Sequence, residues 1–472
     1  MPFDPRTHTD YRAGQQIFLR RPVAAAPDFS PKVLLLTSGL GQGHTRVAQA
    51  IAAELTQRGT DHETFDLWSL MNPGVASIVQ HTYLRLVQEH PALYERLYQL
   101  DEQTWRQVLE SEQGPPAEVL EVLELIASIA AEADPPAVKS LKYSSDRFLL
   151  SLLCTALPYD GTSLAGNGVR ARLALMKWTW MRLVKRLENV IRDAEPDIIV
   201  CTQMIPAAMV SALKKRHRLS IPTIGVLTDF GVHDFWIQPG VDRYCVAHES
   251  MRDAFAEDRR QGDAVATGVP LMPSFAQPLP QDEARRQLQL PLDARVVLVL
   301  GGGLGLGVEA VASRLLQPDA GMHVVVMPGR NAQARAALAD LARTHRDRLR
   351  VFPWTERMDL FLRAADLVVG KPGGVTVAEV LACGRPLFAT RSLGGQEGFN
   401  VRFLERHEVG ALVRDHELFE RVCDTFSRPE WLSTMQTRAW ALGQRSGARY
   451  VADMILDMSW AAQVQRQTSV EH

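Results

Sequence analysis

The sequence predicts an α/β protein made of two doubly wound, Rossmann-like domains that face a common cleft. Three observations lead there. Short apolar runs suited to strands buried on both faces recur in both halves, among them Val33-Leu34-Leu35-Leu36, Ile198-Ile199-Val200 and Val296-Val297-Leu298-Val299-Leu300. A strand entering a glycine-rich loop and then a helix occurs twice, at Ser38 to His44 and at Gly301 to Gly307. Between the halves, Pro270, Pro273, Pro278 and Pro280 mark a linker.

The whole chain agrees with that reading. Its 472 residues exceed one compact domain. Apolar content of 46% with 22% charged residues describes a globular protein, and a formal net charge of -2 gives no electrostatic case for nucleic acid. Five cysteines, widely spaced and without a CxxC, argue for a reducing, cytoplasmic compartment and against structural zinc or a disulfide framework. The N-terminus has no apolar stretch of the signal-peptide kind, and no run reaches the ~20 apolar residues needed to span a bilayer. Any membrane contact is therefore expected to be peripheral.

Residues 1–30 read as an arm. An N-terminal domain over 31–275 opens with a strand and the loop Ser38-Gly39-Leu40-Gly41-Gln42-Gly43-His44, followed by a helix from Thr45 to Arg58. His44 stands where the dinucleotide fingerprint would have its third glycine, and no Lys-Ser/Thr pair follows as a P-loop requires. At a helix start it can reach a phosphate or a reacting group; the competing reading is a solvent-facing histidine near a cap. A helical insertion is expected over about 71–191, with an acidic surface at 101–134 and an apolar stretch at 148–157. Within it, Arg170, Arg172, Lys177, Trp178, Trp180, Arg182, Lys185 and Arg186 suggest a helix resting on an anionic membrane, or equally one that packs its tryptophans inward. Strands resume at Asp197 to Thr202, Pro222 to Asp229 and Arg243 to Ala247. Asp229 falls just past a strand's carboxyl end, where ligands bind in open α/β sheets, with His233 and Trp236 close behind.

The C-terminal domain, 281–437, begins with a helix from Asp282 and the strand ending at Leu300. Further βα units follow at Met322 to Asn331 and Arg350 to Trp354. The most telling stretch runs from Val368 to Asn400: a strand to Gly370, the turn Lys371-Pro372-Gly373-Gly374, an apolar helix from Val375 to about Cys383, a second strand, and a polar loop Gly394 to Asn400. Two glycines at a helix start let a ligand approach free N–H groups, which suits a phosphate. Glu379 is the sole charge on an otherwise apolar helix, where a sugar diol would satisfy it; the alternative is a Glu on the solvent side. Residues 438–472 are expected to form a helix crossing back to the first domain, and a tail.

Six motifs taken in order resemble the GT-B glycosyltransferases, and within them the monogalactosyldiacylglycerol synthases, the processive diacylglycerol glycosyltransferases and, more distantly, the lipid II N-acetylglucosaminyltransferase. They are Gly41-Gln42-Gly43-His44, Thr228-Asp229-Phe230 with His233 and Trp236, Gly301 to Gly307, Gly329-Arg330-Asn331, Lys371 to Glu379, and Gly395 to Asn400. The spacing before His233 is one residue short of the family pattern. The resemblance implies an inverting hexosyltransferase that moves a hexose from a UDP-sugar to a lipid such as diacylglycerol at the inner face of the cell membrane. It implies donor contacts from Trp354 and Thr355 to uracil, Glu379 to ribose, Gly373, Gly374 and Val375 to the diphosphate, Gln396 and Glu397 to the hexose, and support from Arg330. Gly43, Gly302, Gly303, Lys371, Thr376 and Asn400 complete the donor-binding set. His44 and Asp229 are the catalytic candidates and His233 and Trp236 the acceptor-side ones. No Asp-x-Asp occurs, in keeping with a reaction that needs no metal or other cofactor. A GT-B enzyme with a soluble acceptor, a UDP-sugar epimerase or hydrolase, and a non-catalytic sugar-nucleotide-binding module are the alternatives.

Overall fold

The computed structural model describes residues 30–39, 42–70, 165–216, 218–256, 263–302, 305, 307–317, 321–390 and 395–470. The arm up to residue 29, the insertion from 71 to 164 with its acidic and apolar stretches, and Gly41 and Gly303 of the two glycine loops lie outside them.

In the first half the order is β1 (Val33–Thr37), α1 (Gln42–Gln57), β2 (His62–Asp66), α2 (Ala165–Ala194), β3 (Ile198–Cys201), α3 (Met204–Lys215), β4 (Thr223–Val226), β5 (Arg243–Val246), α4 (Asp253–Ala256) and β6 (Asp263–Ala266). Every residue of β1, β3 and β4 is buried, which is why these strands read as unbroken apolar runs. They form a parallel sheet in the order β2-β1-β3-β4-β5-β6. The order reverses between β1 and β3, so the loops after these strands open the crevice in which α/β sheets bind ligands.

The second half runs α5 (Gln281–Gln287), β7 (Arg295–Leu300), α6 (Val308–Leu315), β8 (Met322–Met327), α7 (Ala332–Thr344), β9 (Leu349–Val351), α8 (Met358–Ala364), β10 (Leu367–Gly370), α9 (Gly374–Ala382), β11 (Leu387–Ala389), α10 (Gln396–Arg406), β12 (Gly410–Leu412), α11 (Leu418–Ser427), α12 (Pro429–Leu442) and α13 (Gly447–Val470). Its sheet is again parallel, ordered β12-β11-β10-β7-β8-β9, with the reversal between β7 and β10.

Two elements differ from expectation, and a third answers an alternative that the sequence left open. The stretch read as a polar loop from Gly394 to Asn400 is helical from Gln396, as α10, because Gly395 takes a φ of 55° at the cap and Val401, Phe403 and Leu404 supply a buried face; Gly394 lies outside the described residues. The helix expected from Arg438 is two helices. Gly443 crosses the end of α9 so closely that a Cβ there would lie 2.3 Å from the Leu381 carbonyl oxygen, and the chain turns before α13 begins. On α2, Trp180 packs against the core beside buried Val184, Leu187 and Ile191, which answers the membrane-or-core alternative for that ring in favour of the core. The side chains at 165–179, Trp178 included, lie outside the described residues.

The last helix does cross back. Arg58, just past the end of α1, pairs with Asp453 of α13 at 2.6 Å, Arg466 reaches Asp197 at 3.0 Å, and the Cys245 thiol lies 3.7 Å from the Met454 sulfur.

Candidate active site

The cleft brings the β1, β3 and β4 loops of the first sheet against α9 and α10 of the second. On the first side, Gly39 N–H donates to Asp66 Oδ1 at 3.1 Å and the Ser38 hydroxyl accepts from the Trp68 indole at 2.9 Å, which fixes the start of the glycine loop. Helix α1 starts at Gln42, earlier than the sequence suggested, so His44 sits in its first turn. Its Nδ1 lies 2.9 Å from the Thr202 carbonyl oxygen and 3.2 Å from Thr228 Oγ1. A carbonyl only accepts, so Nδ1 carries the proton of the neutral ring and Nε2 holds the lone pair. Burial lowers the His44 pKa, opposed by the Asp229 charge and by the Thr202 carbonyl. The imidazole is therefore held neutral, with a carboxylate near enough to stabilise it once protonated.

Asp229 follows β4. Its Oδ2 accepts from Thr228 Oγ1 at 3.2 Å and its Oδ1 from the Asn400 amide at 2.9 Å. Asn400 is fully buried and was expected among the donor-binding residues. Its Nδ2 donates to Asp229 Oδ1 and, at 2.9 Å, to the Pro372 carbonyl, while its Oδ1 accepts the Phe230 N–H at 2.8 Å. Both amide hydrogens and the oxygen are thus engaged within the protein, and the residue joins the two halves. His233 and Trp236, the acceptor-side candidates, also serve the local fold: His233 Nδ1 accepts the Phe235 N–H at 3.1 Å, and Trp236 is buried in the core.

On the second side, Gly374 begins α9 directly against β4's loop. A Cβ on it would lie 2.0 Å from the Thr228 carbonyl oxygen and 2.5 Å from Asp229 Oδ1. One on Gly43 would lie 3.4 Å from Val375 Cγ2. The unpaired N–H groups of Gly374, Val375 and Thr376 in the first turn, reinforced by the helix dipole, thus face the His44 side of the cleft. Glu379, one turn further along, is 8% exposed, and burial raises its pKa to about 7 despite Arg46 of α1 at 3.8 Å. Lys371 binds Glu397 at 2.6 Å, and Gln396 opens α10 beside it.

The outer end of the second sheet carries Arg330, after β8, with its guanidinium 5.0 Å from the centroid of the exposed Trp354 ring, after β9. Thr355 Oγ1 accepts the Arg357 N–H at 3.0 Å. The β7 loop, with Gly302 at a φ of 59°, lies under the Arg330 turn: a Cβ on Gly305 would meet the Pro328 carbonyl oxygen at 2.1 Å. The contact from Phe230 to Phe403, rings 4.4 Å apart, had no signal in the sequence, because aromatic pairing across domains leaves no local pattern.

Two parallel doubly wound sheets with facing carboxyl ends and a crossing last helix define the GT-B glycosyltransferase fold. Two family models match successive parts of the chain: monogalactosyldiacylglycerol (MGDG) synthase over residues 162–271 and the glycosyltransferase family 28 C-terminal domain over 296–438. The chain is 25% identical over 433 residues to a protein of Bacillus pumilus named processive diacylglycerol beta-glucosyltransferase, covering 91% of this chain and 95% of the relative. It is 24% identical to the one so named in Bacillus subtilis, over the same shares. Among solved structures, MurG of Acinetobacter baumannii superposes with a TM-score of 0.52 at 15% identity, over 90% of this chain and 99% of MurG. The glycotransferase of kitacinnamycin gives 0.50 at 15%, over 89% and 98%. The resemblance drawn from the six motifs is borne out by these matches.

Proposed function

We propose that this protein is an inverting hexosyltransferase of glycolipid synthesis that moves a hexose from a UDP-sugar to a lipid acceptor such as diacylglycerol. The observation that carries the reading is the His44 imidazole, neutral and with its Nε2 lone pair available, facing the first turn of α9 across the cleft. The names of the relatives supply the acceptor and the sugar class.

In the proposed reaction His44 Nε2 takes the proton of the acceptor hydroxyl as that oxygen attacks the anomeric carbon. The bond from that carbon to the diphosphate breaks, its electron pair goes to the phosphate oxygen, and UDP leaves with inversion. Asp229 is the weaker base candidate, because both its oxygens already accept hydrogen bonds; its charge stabilises the imidazolium instead. The N–H groups of Gly374, Val375 and Thr376 and the α9 dipole would stabilise the leaving diphosphate, which is the reason the proposal includes no metal. Glu379 would accept the ribose hydroxyls, Trp354 and Thr355 would hold the uracil beside Arg330, and Gln396 and the Lys371–Glu397 pair would meet the hexose. Because the acceptor lies in a bilayer, catalysis takes place with the protein peripheral on a membrane, on the cytoplasmic face that holds UDP-sugars; among the described residues no helix is long and apolar enough to cross one.

The test is incubation with labelled UDP-glucose or UDP-galactose and anionic vesicles containing diacylglycerol, with lipid products separated and vesicle binding measured by co-sedimentation. A labelled glycolipid is expected. Release of free hexose alone, or transfer only to water-soluble acceptors, would overturn the lipid reading.

A further inference from the structure

From the bonds Asn400 makes, and resting on the function just proposed, we infer that Asn400 is a positioning residue: it ties Asp229 into place beside His44 only when the two domains close, so that closure and assembly of the catalytic pair are one event. The orientation of its amide is unambiguous, since the Phe230 N–H only donates and the Pro372 carbonyl only accepts. The remaining amide hydrogen goes to Asp229 Oδ1. Its three partners belong to both halves: Asp229 and Phe230 to the loop after β4, Pro372 to the turn before α9. Opening the cleft separates Asn400 from Asp229 and Phe230 and gives its freed amide hydrogen and oxygen to water, whereas closing it restores both bonds in a site with no solvent access.

Neighbouring contacts reinforce the same joint. The Phe230 and Phe403 rings meet across it, and Phe399 lies so close to Gly231 that a Cβ there would approach its ring to 2.3 Å. Charged and titratable groups on the elements around the joint are His44, Arg46 and Glu54 on α1, His233 in the loop after β4, Lys371 before α9, Glu379 on α9, Glu397, Arg402, Glu405 and Arg406 on α10, and His248 and His407, whose rings pack on Phe403. Of these, His44 feels the Asp229 charge.

Two variants test this. Asn400→Ala removes the amide. Asn400→Asp keeps its size and the acceptor for Phe230 but sets a second carboxylate against Asp229. Two carboxylates at that separation share a proton, which raises the pKa of the pair. Transfer from labelled UDP-glucose to diacylglycerol vesicles is followed between about pH 6 and pH 8. The His44 ring is titrated by NMR in the substrate-free protein labelled in histidine, and domain closure is read by small-angle scattering. Asn400→Ala should lower kcat by about 10- to 100-fold with a much smaller change in KM, a loss on the scale of general-base assistance. It should also open the particle and lower the His44 titration point, as Asp229 moves away. Asn400→Asp should recover at least about tenfold relative to wild type on going from pH 8 to pH 6, where a shared proton lets the introduced carboxyl donate to Asp229. A purely structural role would leave the ratio of Asn400→Asp to wild type flat with pH. That flat ratio, or an unchanged His44 titration in Asn400→Ala, overturns the inference. If wild type transfers no hexose, the proposed function fails, while titration and scattering still read the joint directly.

Discussion

Glu379→Gln separates stability from ligand binding in one side chain. The Glu379 carboxyl is moved from 4.5 to about 7, mainly by burial, with Arg46 at 3.8 Å offsetting part of the effect. An unfolded chain ionises this group near its ordinary value, whereas the folded chain holds the proton up to about pH 7. Unfolding between those values therefore releases a proton, and the group's contribution to stability is lost as pH rises through that window. A displacement of that size corresponds to roughly 3 kcal/mol when the folded group is forced to ionise at pH 8. A glutamine keeps the shape and never ionises. Melting curves of the ligand-free proteins from pH 5 to pH 8 should show wild type losing several degrees relative to Glu379→Gln toward the alkaline end, on the scale expected for a loss of this size. At the same time, UDP affinity in Glu379→Gln should fall by about 1.5 to 3 kcal/mol, the worth of a charge-assisted hydrogen bond to a ribose hydroxyl. Wild-type affinity should rise with pH through about 7 as the carboxylate forms. Parallel melting profiles with pH, or equal UDP affinity, would refute the reasoning.

The other predictions follow from single contacts. His44→Ala should lower kcat by roughly 10²- to 10⁴-fold. Because burial lowers the His44 pKa from 6.5, the acid limb of wild-type kcat/KM for the acceptor, taken at saturating UDP-sugar so that Glu379 ionisation does not enter, should fall below that value; a limb above it would assign the base elsewhere. Gly374→Ala places a methyl 2.0 Å from the Thr228 carbonyl, so it should impair closure and lower kcat, with a smaller change in KM for the donor and little change in thermal stability, as scattering and steady-state kinetics would show. Arg58→Ala breaks ion pairs to Asp453 and Glu54, at 2.6 and 2.9 Å, that are partly solvated, and should cost about 1 kcal/mol or less by urea unfolding; a loss beyond about 3 kcal/mol would mean that α13 is held chiefly through this residue.

The elements of the proposed donor half were legible because their pattern is local. The strand to Gly370, the glycine turn, the helix from Gly374 and the buried Glu379 lie within one short segment, and each leaves a mark in sequence: apolar continuity, a glycine pair, one charge on an apolar helix. The sheets were legible for the same reason, since parallel strands buried on both faces read as plain apolar runs. What was lost is non-local. Asn400 reads as a ligand-binding amide in a polar stretch, and only the tertiary structure shows its hydrogen bonds going to residues 170, 171 and 28 positions away. Trp236 reads as an acceptor-side residue of a family motif, and the structure adds that the Tyr244 hydroxyl donates to its carbonyl at 2.9 Å and that its ring joins the core.

The same contrast bears on how the enzyme would be controlled. A helix N-terminus and a glycine turn bind a diphosphate whether or not the domains meet, so the donor can enter an open cleft. Under the proposed mechanism the base arrangement would be incomplete in that state. His44 keeps its tautomer through Thr202 and Asp229 Oδ2 keeps Thr228 Oγ1, both partners within their own domain, but Asp229 Oδ1 is held by Asn400 and abutted by Gly374, both from the other domain. On the proposed mechanism a UDP-sugar bound in an open cleft would meet a neutral imidazole whose carboxylate is held on one side only, by Thr228, and would be poorly activated toward water. Closure excludes solvent and completes the pair together, which is the order a transferase needs if hydrolysis of its donor is to stay slow.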